Sequence, residues 1–188
     1  TPFCQNARIV IDPAAAEAMV VDPGGEVERI IEALDTFGSP LTVKQVFLTH
    51  AHIDHAGGVE PLRAALEKRG DIRPTLLAHP NEKELRAAVS KQALLFGLSP
   101  ADYHDVPEPD VYVQDGDTVK VGNFEAKALF TPGHSPGHLA LYFSQPGALL
   151  EDLAPEGVKV VKREAVNTPV LIGGDTLFHG TIGRTDLP

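Results

Sequence analysis

The sequence predicts an α/β fold, a domain whose sheets are covered by helices. The first half of the chain alternates apolar runs of strand length with segments whose apolar residues recur at helical spacing. The second half is a succession of strand-like runs separated by turn residues. The chain has 188 residues, a length that fits one domain with a sizeable core. We therefore predict a single domain over residues 1–188.

In the first half, predicted strands and helices follow one another in turn. The breaker D-P-G-G at residues 22–25 precedes the first helix, whose apolar residues fall on one face. Asn81 and Glu84 form a pair that resembles a capping box and starts the last helix. We predict strands at residues 8–11, 18–21, 43–49 and 75–78, and helices around residues 27–34, 61–69 and 81–96.

After residue 98 the pattern changes to loops and strands. Residues 99–109 carry three prolines and no periodicity, so we predict a loop. Gly122-Asn123 lies between two apolar runs, which is a hairpin signal. Residues 144–168 contain breaks that end in proline and a patch of lysine and glutamate, and we interpret them as an insertion. We predict strands at residues 118–121, 124–130, 139–143 and 170–172.

The charge and the cysteine content limit the partners and the compartment. Sixteen Lys+Arg against 26 Asp+Glu give a net charge of −10. This balance argues against non-specific binding to nucleic acid or to an anionic membrane surface. No apolar run of the sequence reaches the ~20 residues of a membrane span. The single cysteine, Cys4, excludes an internal disulfide and favours a reducing compartment, so we expect a cytoplasmic protein.

Ligand-type side chains follow three of the predicted strands at the points where these end. The three stretches are L-T-H-A-H-I-D-H-A-G-G at 48–58, T-P-G-H-S-P-G-H at 131–138 and I-G-G-D-T-L-F at 172–178. Loops at strand ends bring distant residues together, and imidazole and carboxylate are ligands for zinc, iron and manganese. The candidate metal ligands are His50, His52, Asp54, His55, His134 and Asp175.

A structural role is the alternative for each of these histidines, because a lone histidine at a strand end is more often structural than a ligand. A cluster of four ligand-type side chains is different, since without a metal it would leave buried polar atoms unpaired. The cluster therefore predicts a metal site. Outside the cluster, we expect His79 and His138 to be structural and His104 to be solvated. Whether His179 lines a substrate pocket beside the metal site stays open.

The ordered set H-x-H-x-D-H, followed by His134 and then Asp175, resembles the metallo-β-lactamase fold superfamily over nearly the whole chain. T-P-F-C-Q-N at the start, V-V-D-P-G-G, and G-D-T-L-F-H-G-T-I-G-R-T-D-L-P at the end are similar to its glyoxalase II-like branch, the hydroxyacylglutathione hydrolases. The resemblance implies an αβ/βα four-layer sandwich with a metal site at one edge of the two sheets.

The resemblance also implies a centre with two divalent metal ions. His50, His52 and His134 would hold one ion, and Asp54 and His55 the other, with Asp175 bridging both. We expect zinc, while iron and manganese stay open. Histidine at position 52 separates the chain from the flavodiiron branch, which has glutamate there. Aspartate at position 175 separates it from the main β-lactamase branch, which has cysteine.

The expected activity is metal-dependent hydrolysis of a small-molecule thioester. Two metal ions that share a water lower its pKa from 15.7 to about 7, so the nucleophile is expected to be a metal-bridging hydroxide. A thiolate with a pKa near ~8.5 leaves without a proton donor, which favours a thioester over an amide. Asp54 and Asp175 are the candidate catalytic carboxylates, and Asp54 is a candidate proton acceptor.

Two alternatives stay open. Persulfide dioxygenases also resemble the chain around G-R-T-D, and that resemblance implies one iron held by His50, His134 and Asp175. A lactone or another ester hydrolase would use the same fold and the same centre. Thiol release from a thioester, set against oxygen uptake with a persulfide, separates thioester hydrolysis from the dioxygenase reaction. A protein that only binds metal, which also stays open, would show neither activity.

A further expectation concerns the length of the chain. The family resemblance implies one more histidine ligand, from a G-H segment beyond the G-R-T-D-L-P motif at residues 183–188. We therefore expect the C-terminal part of the natural protein to be missing here. On this view the 188-residue chain binds one metal ion firmly and the second weakly.

Overall fold

The computed structural model describes residues 5–37, 40–144, 149–152 and 169–186. The helices are α1 (Val27–Asp35), α2 (Ile53–Ala56), α3 (Val59–Arg69), α4 (Lys83–Arg86) and α5 (Val89–Leu95), with a 3₁₀ turn at Pro80–Glu82. The strands are β1 (Arg8–Asp12), β2 (Glu17–Val21), β3 (Thr42–Phe47), β4 (Thr75–Ala78), β5 (Val111–Tyr112), β6 (Thr118–Val121), β7 (Phe124–Phe130), β8 (Leu139–Phe143), β9 (Leu149–Asp152), β10 (Val170–Ile172), β11 (Leu177–Phe178) and β12 (Thr181–Ile182).

Two sheets pack face to face. The first has the order β5-β4-β3-β2-β1-β9, in which β2, β3, β4 and β5 are parallel to one another and β1 is antiparallel to both β2 and β9. The second has the order β10-β8-β7-β6 and is antiparallel throughout, while β11 and β12 form a separate hairpin. Side chains of β1 alternate between the two faces of the first sheet. Ile9 and Ile11 join the helix-side core and Val10 joins the core between the sheets, so both faces are buried.

The described residues form three layers: helices, first sheet, second sheet. The helix-side core contains residues of α1, α2, α3 and α5, whereas the core between the sheets is built from strands and loops. On the opposite face of the second sheet, Leu129, Tyr142 and Leu171 are partly exposed, and none of the helices above covers them. The α/β fold predicted from the alternation of strands and helices is confirmed, with most elements within two residues of their predicted bounds.

The single helix predicted at residues 81–96 is wrong. The structure breaks it into the 3₁₀ turn, α4 and α5. The break arises because loop residues take over the hydrogen bonds of the helix: Val106 N–H donates to the Arg86 carbonyl at 2.9 Å, and Asp105 Oδ1 accepts from Ser90 N–H at 2.9 Å. The predicted capping box is also wrong, since the Asn81 N–H donates to His79 Nδ1 at 3.1 Å.

The short strands escaped prediction, because two-residue strands such as β5, β11 and β12 are too brief to show alternation. Of the insertion predicted at residues 144–168, Leu149–Asp152 forms β9, which pairs with β1 at the sheet edge. Residues 145–148 and 153–168 of that insertion lie outside the described residues, as does Cys4. Within the described part of the chain, no helix is long and apolar enough to cross a membrane.

Candidate metal centre

The candidate site lies at the edge of the first sheet where its parallel strands end. Asp22 directly follows β2, His50 follows β3 by three residues, and His79 directly follows β4. The second sheet meets this edge through Leu139 N–H, which donates to the Thr49 carbonyl at 2.8 Å. The loop at residues 131–138 is thereby brought against the loop at residues 48–58. The carboxyl ends of parallel strands are where α/β folds commonly bind ligands.

Three of the predicted ligands form one group. One nitrogen from each of His50, His52 and His134 lies within 4.8 Å of the other two. Within the group, His52 Nδ1 and His134 Nε2 are 2.9 Å apart. His50 is fully buried, and His134 is 9% exposed. Three imidazoles that converge in this way match the ligand set of a catalytic zinc site, which leaves one position open.

A second group shares His50 with the first. It consists of His50, His55 and Asp175, again with ligand atoms within 4.8 Å of one another. Asp175 lies between the two groups, because its Oδ1 is 3.2 Å from His55 Nε2 and its Oδ2 is 3.5 Å from His134 Nε2. Asp54 stands at the margin, with its Oδ2 3.7 Å from His55 Nε2. The structure thus brings all six predicted residues together but leaves Asp54 outside both groups.

Hydrogen bonds fix which ring nitrogen faces the centre. Thr49 Oγ1 donates to Asp22 Oδ2 at 2.7 Å, so it can accept from His50 Nδ1, 3.1 Å away. Asp22 Oδ2 also accepts from His55 Nδ1 at 3.0 Å, and the Arg184 carbonyl accepts from His134 Nδ1 at 2.8 Å. Each of these three rings therefore directs Nε2 at the cluster. Partners of this type orient the rings of metal-ligating histidines.

The residues fit a divalent cation. Nε2 of His50 is buried without a hydrogen bond, which is costly unless a further group binds there. Nε2 of His55 is also buried without a hydrogen bond, and its nearest charged partner is Asp175 Oδ1 at 3.2 Å. Burial, reinforced by the neighbouring histidines, lowers the pKa of His50 well below 6.5 and that of His52 to about 4, so both rings are neutral ligands at pH 7. Burial also lowers the pKa of His55, but Asp22 and Asp175 raise it to about 10 overall. The His55 side of the cluster therefore attracts positive charge.

The remaining histidines lie outside the ligand groups, and the structural roles expected for His79 and His138 and the exposure expected for His104 are observed. His138 is buried, and its Nε2 accepts from the backbone N–H of Asp175 at 3.0 Å, so it holds Asp175 from behind. His79 caps the 3₁₀ turn and stacks on Phe130. His104 and His179 are exposed. Arg184 pairs with Asp186 through two hydrogen bonds of 2.9 Å.

Sequence reasoning missed the side chains that support the loops. In the sequence Asp22 is visible only as part of the breaker at residues 22–25 and of the V-V-D-P-G-G motif, yet it holds Thr49 and His55. Its position directly after β2, beside the end of β3, could have identified it. Glu82 and Gln92 carried no signal, because their contacts depend on the broken helix. Asp22 has a φ of 52°, and such left-handed backbone in a residue other than glycine is typical of functional sites.

Two cavities open beside the centre. One of about 350 Å³ is bordered by His52, His134 and Asp175, and its other walls are mainly apolar. Those walls are Ile53, Leu85, Leu95, Phe96 and Phe178, with Asp54, Gln92 and Arg184 as further polar members. The other, of about 450 Å³, is more polar and lies on the side of Asp22, Asp54 and His55. Apolar clefts with a few convergent polar groups are the common form of a small-molecule site.

Comparison with known families agrees with the layered fold and with the histidine cluster at the sheet edge. A model of the metallo-beta-lactamase superfamily matches residues 2–150, most of the chain. The chain belongs to the metallo-beta-lactamase superfamily. The family and the metallo-beta-lactamase fold that the histidine motif predicted are thus confirmed, and the described residues supply three of the four predicted layers. Both the helix–sheet–sheet layering and the location of the histidines at the sheet edge agree with this membership.

Several members of the superfamily are similar over nearly the whole chain. The hydroxyacylglutathione hydrolase GloC of Haemophilus influenzae is 31% identical over 191 residues, which span 100% of this chain and 74% of that protein. The probable metallo-hydrolase YqgX of Bacillus subtilis is 32% identical over 189 residues, spanning 99% of this chain and 72% of that protein. These relatives support a metallo-hydrolase of this superfamily.

Among solved structures, TTHA1623 in a di-iron-bound form superimposes with a TM-score of 0.67 at 29% identity. The match covers 98% of this chain and 74% of that one. BLEG-1, a B3 metallo-beta-lactamase, superimposes with a TM-score of 0.70 at 26% identity, covering the same shares. The superposed members therefore include a di-iron protein and a lactamase, so the fold leaves both metal and substrate to be argued from the site.

Proposed function

We propose that the chain is a metal-dependent hydrolase that cleaves small-molecule thioesters. The observation that carries the proposal is the group of His50, His52 and His134, with Asp175 beside it, opening onto a mainly apolar cavity. GloC supports the substrate class, because it is a hydroxyacylglutathione hydrolase and is 31% identical over the whole of this chain. The cavity volume of about 350 Å³ suits an acyl group together with part of its thiol carrier.

The metal ions would be held by the residues already described. His50, His52 and His134 would bind one ion, and His55 and Asp175 a second, with Asp54 at its margin. When bound, divalent ions of this kind polarise a carbonyl and lower the pKa of water. The di-iron form of TTHA1623 supports a centre with two ions. We propose zinc as the first choice, with iron and manganese as alternatives, since imidazole and carboxylate suit all three.

The residues of the chain would supply orientation and proton transfer. The apolar wall formed by Leu95, Phe96 and Phe178 would take up the acyl chain and turn the carbonyl towards the histidines. Asp54 borders both cavities, so its carboxylate is placed to accept a proton from the attacking water. Among the described residues that line the apolar cavity, none is a lysine, tyrosine or cysteine. A thiolate leaves without a donated proton, so a cavity lined in this way suits a thioester substrate.

The proposal is tested with the metal-loaded protein and a panel of acyl thioesters, a lactone and glutathione persulfide. We expect thiol release from thioesters that stops when the metal is removed by chelation and returns when it is restored. Faster turnover of the lactone than of every thioester would contradict the substrate class. Oxygen uptake with the persulfide and no thiol release would contradict hydrolysis itself.

A further inference from the structure

Glu82 is a buried carboxylate that belongs to neither group of candidate ligands. It lies in the 3₁₀ turn after β4 and has no exposed surface. Its Oε2 accepts from the Ala51 N–H at 2.8 Å, and its Oε1 accepts from Ser135 Oγ at 2.7 Å and from the Gly137 N–H at 2.6 Å. Three short hydrogen bonds from three donors leave this side chain little freedom to move.

The partners of Glu82 lie in both loops that carry the three-histidine group. Ala51 stands between His50 and His52, and Ser135 directly follows His134. One carboxylate therefore connects the two halves of the group through the backbone beside each histidine. The approach at Gly137 is close enough to exclude any side chain, because a Cβ there would lie 2.8 Å from Glu82 Cγ.

A second buried side chain completes the support of the first loop. Gln92 Oε1 accepts from the Ile53 N–H at 2.9 Å, and its Nε2 donates to the Ala51 carbonyl at 3.2 Å. Of the two histidine loops, Gln92 hydrogen-bonds only to the one at residues 48–58, and its remaining hydrogen bond goes to the Leu85 carbonyl at 3.1 Å. Glu82 hydrogen-bonds both to that loop and to the loop at residues 131–138. Glu82 is therefore the side chain whose loss would change the spacing between the two loops.

We propose that Glu82 is a positioning residue that sets the distance between the two histidine loops and so the metal affinity of the three-histidine group. The inference rests on the metal centre that the proposed function requires, but not on the substrate. Ligand nitrogens on two separate loops bind one ion well only when both loops are held in register. A simply structural role would stabilise the fold without changing how tightly the histidines bind metal.

The test is Co²⁺ binding to the metal-free Glu82→Gln protein, followed by the visible absorption bands of the bound ion. Glutamine keeps the size of the side chain, but its amide nitrogen cannot accept a hydrogen bond from a backbone N–H. We expect the tighter dissociation constant to rise 10–100-fold, the usual effect of removing a partner that supports a metal ligand. We also expect the absorption bands to shift, because the arrangement of the histidines changes.

Asp12→Asn is the matched control. Asp12 is also a buried carboxylate that accepts backbone hydrogen bonds from two segments, at Ala14 and at Asn123. It lies at the end of β1, the opposite end of the sheet from the histidines, because β1 is antiparallel to β2. We expect Asp12→Asn to lower the melting temperature but to leave Co²⁺ affinity and absorption unchanged.

Ser135→Ala keeps the proposal testable if Glu82→Gln does not fold. It removes one of the three hydrogen bonds of Glu82, and we expect a smaller rise in the dissociation constant, about threefold to tenfold. Wild-type Co²⁺ affinity and spectrum in the folded variants, with only the melting temperature lowered, would overturn the proposal. An equal loss of affinity in Asp12→Asn would overturn it as well. Metal binding without thioester turnover would instead count against the proposed function alone.

Discussion

Asp22→Asn should weaken metal binding on the His55 side of the centre without straining the backbone. Asp22 is 3% exposed, and its Oδ2 accepts from Thr49 Oγ1 at 2.7 Å and from His55 Nδ1 at 3.0 Å. An amide nitrogen in that position accepts neither hydrogen bond, so His55 loses the partner that directs its Nε2 at the ligand group. The φ of 52° is well tolerated by asparagine, so this variant isolates the loss of the acceptor.

The expected magnitude follows from those contacts. Loss of a partner that orients a ligating histidine weakens metal binding 10–100-fold, about 1.4–2.7 kcal/mol. The metal-free protein should lose about 1.5–3 kcal/mol of unfolding free energy, the contribution of one hydrogen bond to a charged group. We count one bond, because the Thr49 hydroxyl can turn to accept from the amide, and because the Thr49 N–H keeps its acceptor, Oδ1.

The assay is a Co²⁺ titration of the metal-free variant, with thermal unfolding of the same sample. The wild type and Asp12→Asn serve as references, since Asp12 is buried but remote from the histidines. We expect the weaker of two binding steps to be lost or shifted, while the three-histidine step changes less. Two binding steps with wild-type dissociation constants would refute the role given to Asp22.

Three further predictions concern turnover, acid stability and specificity. Asp175→Asn should abolish thioester hydrolysis, because Asp175 supplies the negative charge between the two ligand groups, and should keep the wild-type circular dichroism spectrum. Hydrolysis near the wild-type rate would show that Asp175 does not belong to the site. Burial raises the pKa of Asp12, but hydrogen bonds from Asn123 and from two backbone N–H groups lower it below 3.8 overall. The contribution of the Asp12 carboxylate to stability is therefore complete above pH 3.8 and is lost as the pH falls further. Asp12→Asn should reduce the fall of the melting temperature with pH below about pH 4. A fall as steep as that of the wild type would contradict this. Phe96→Ser should lower kcat/KM for a hexanoyl relative to an acetyl thioester about tenfold, because Phe96 lines the apolar cavity. Leu94→Ser should leave this ratio unchanged, since Leu94 is exposed but lies outside the cavity. Equal effects of the two changes would exclude Phe96 from substrate binding.

Much of the fold could be predicted from local patterns because both faces of the first sheet are buried. Strands buried on both faces read as continuous apolar runs, and β1 and β2 were found in this way. The broken helix could not be predicted, since the carbonyl of Arg86 is used by Val106, twenty residues further along the chain. A local pattern carries no information about such a tertiary hydrogen bond.

The residues of the candidate site likewise fall into those that the sequence could predict and those that it could not. Histidines and carboxylates at strand ends were visible in the sequence, because their residue types and clustering are unusual, and the structure brings them together. Glu82 and Gln92 look like surface residues of a helix in the sequence, and their role appears only when the turn after β4 and helix α5 pack against the loop at residues 48–58. Asp22 is an intermediate case, because its position after β2 could be read from the sequence but its hydrogen-bond partners could not.

The most direct test of the metal centre is the metal content of the chain with and without His50. This residue belongs to both ligand groups, so His50→Ala removes a ligand from each. His179→Ala is the matched control, because His179 is exposed and belongs to neither group. After loading with Zn²⁺ and dialysis, mass spectrometry should find at least one ion per chain in the wild type and in His179→Ala, and none in His50→Ala. Equal metal content in all three proteins, or no metal in the wild type, would contradict the assignment of the histidine cluster as a metal centre.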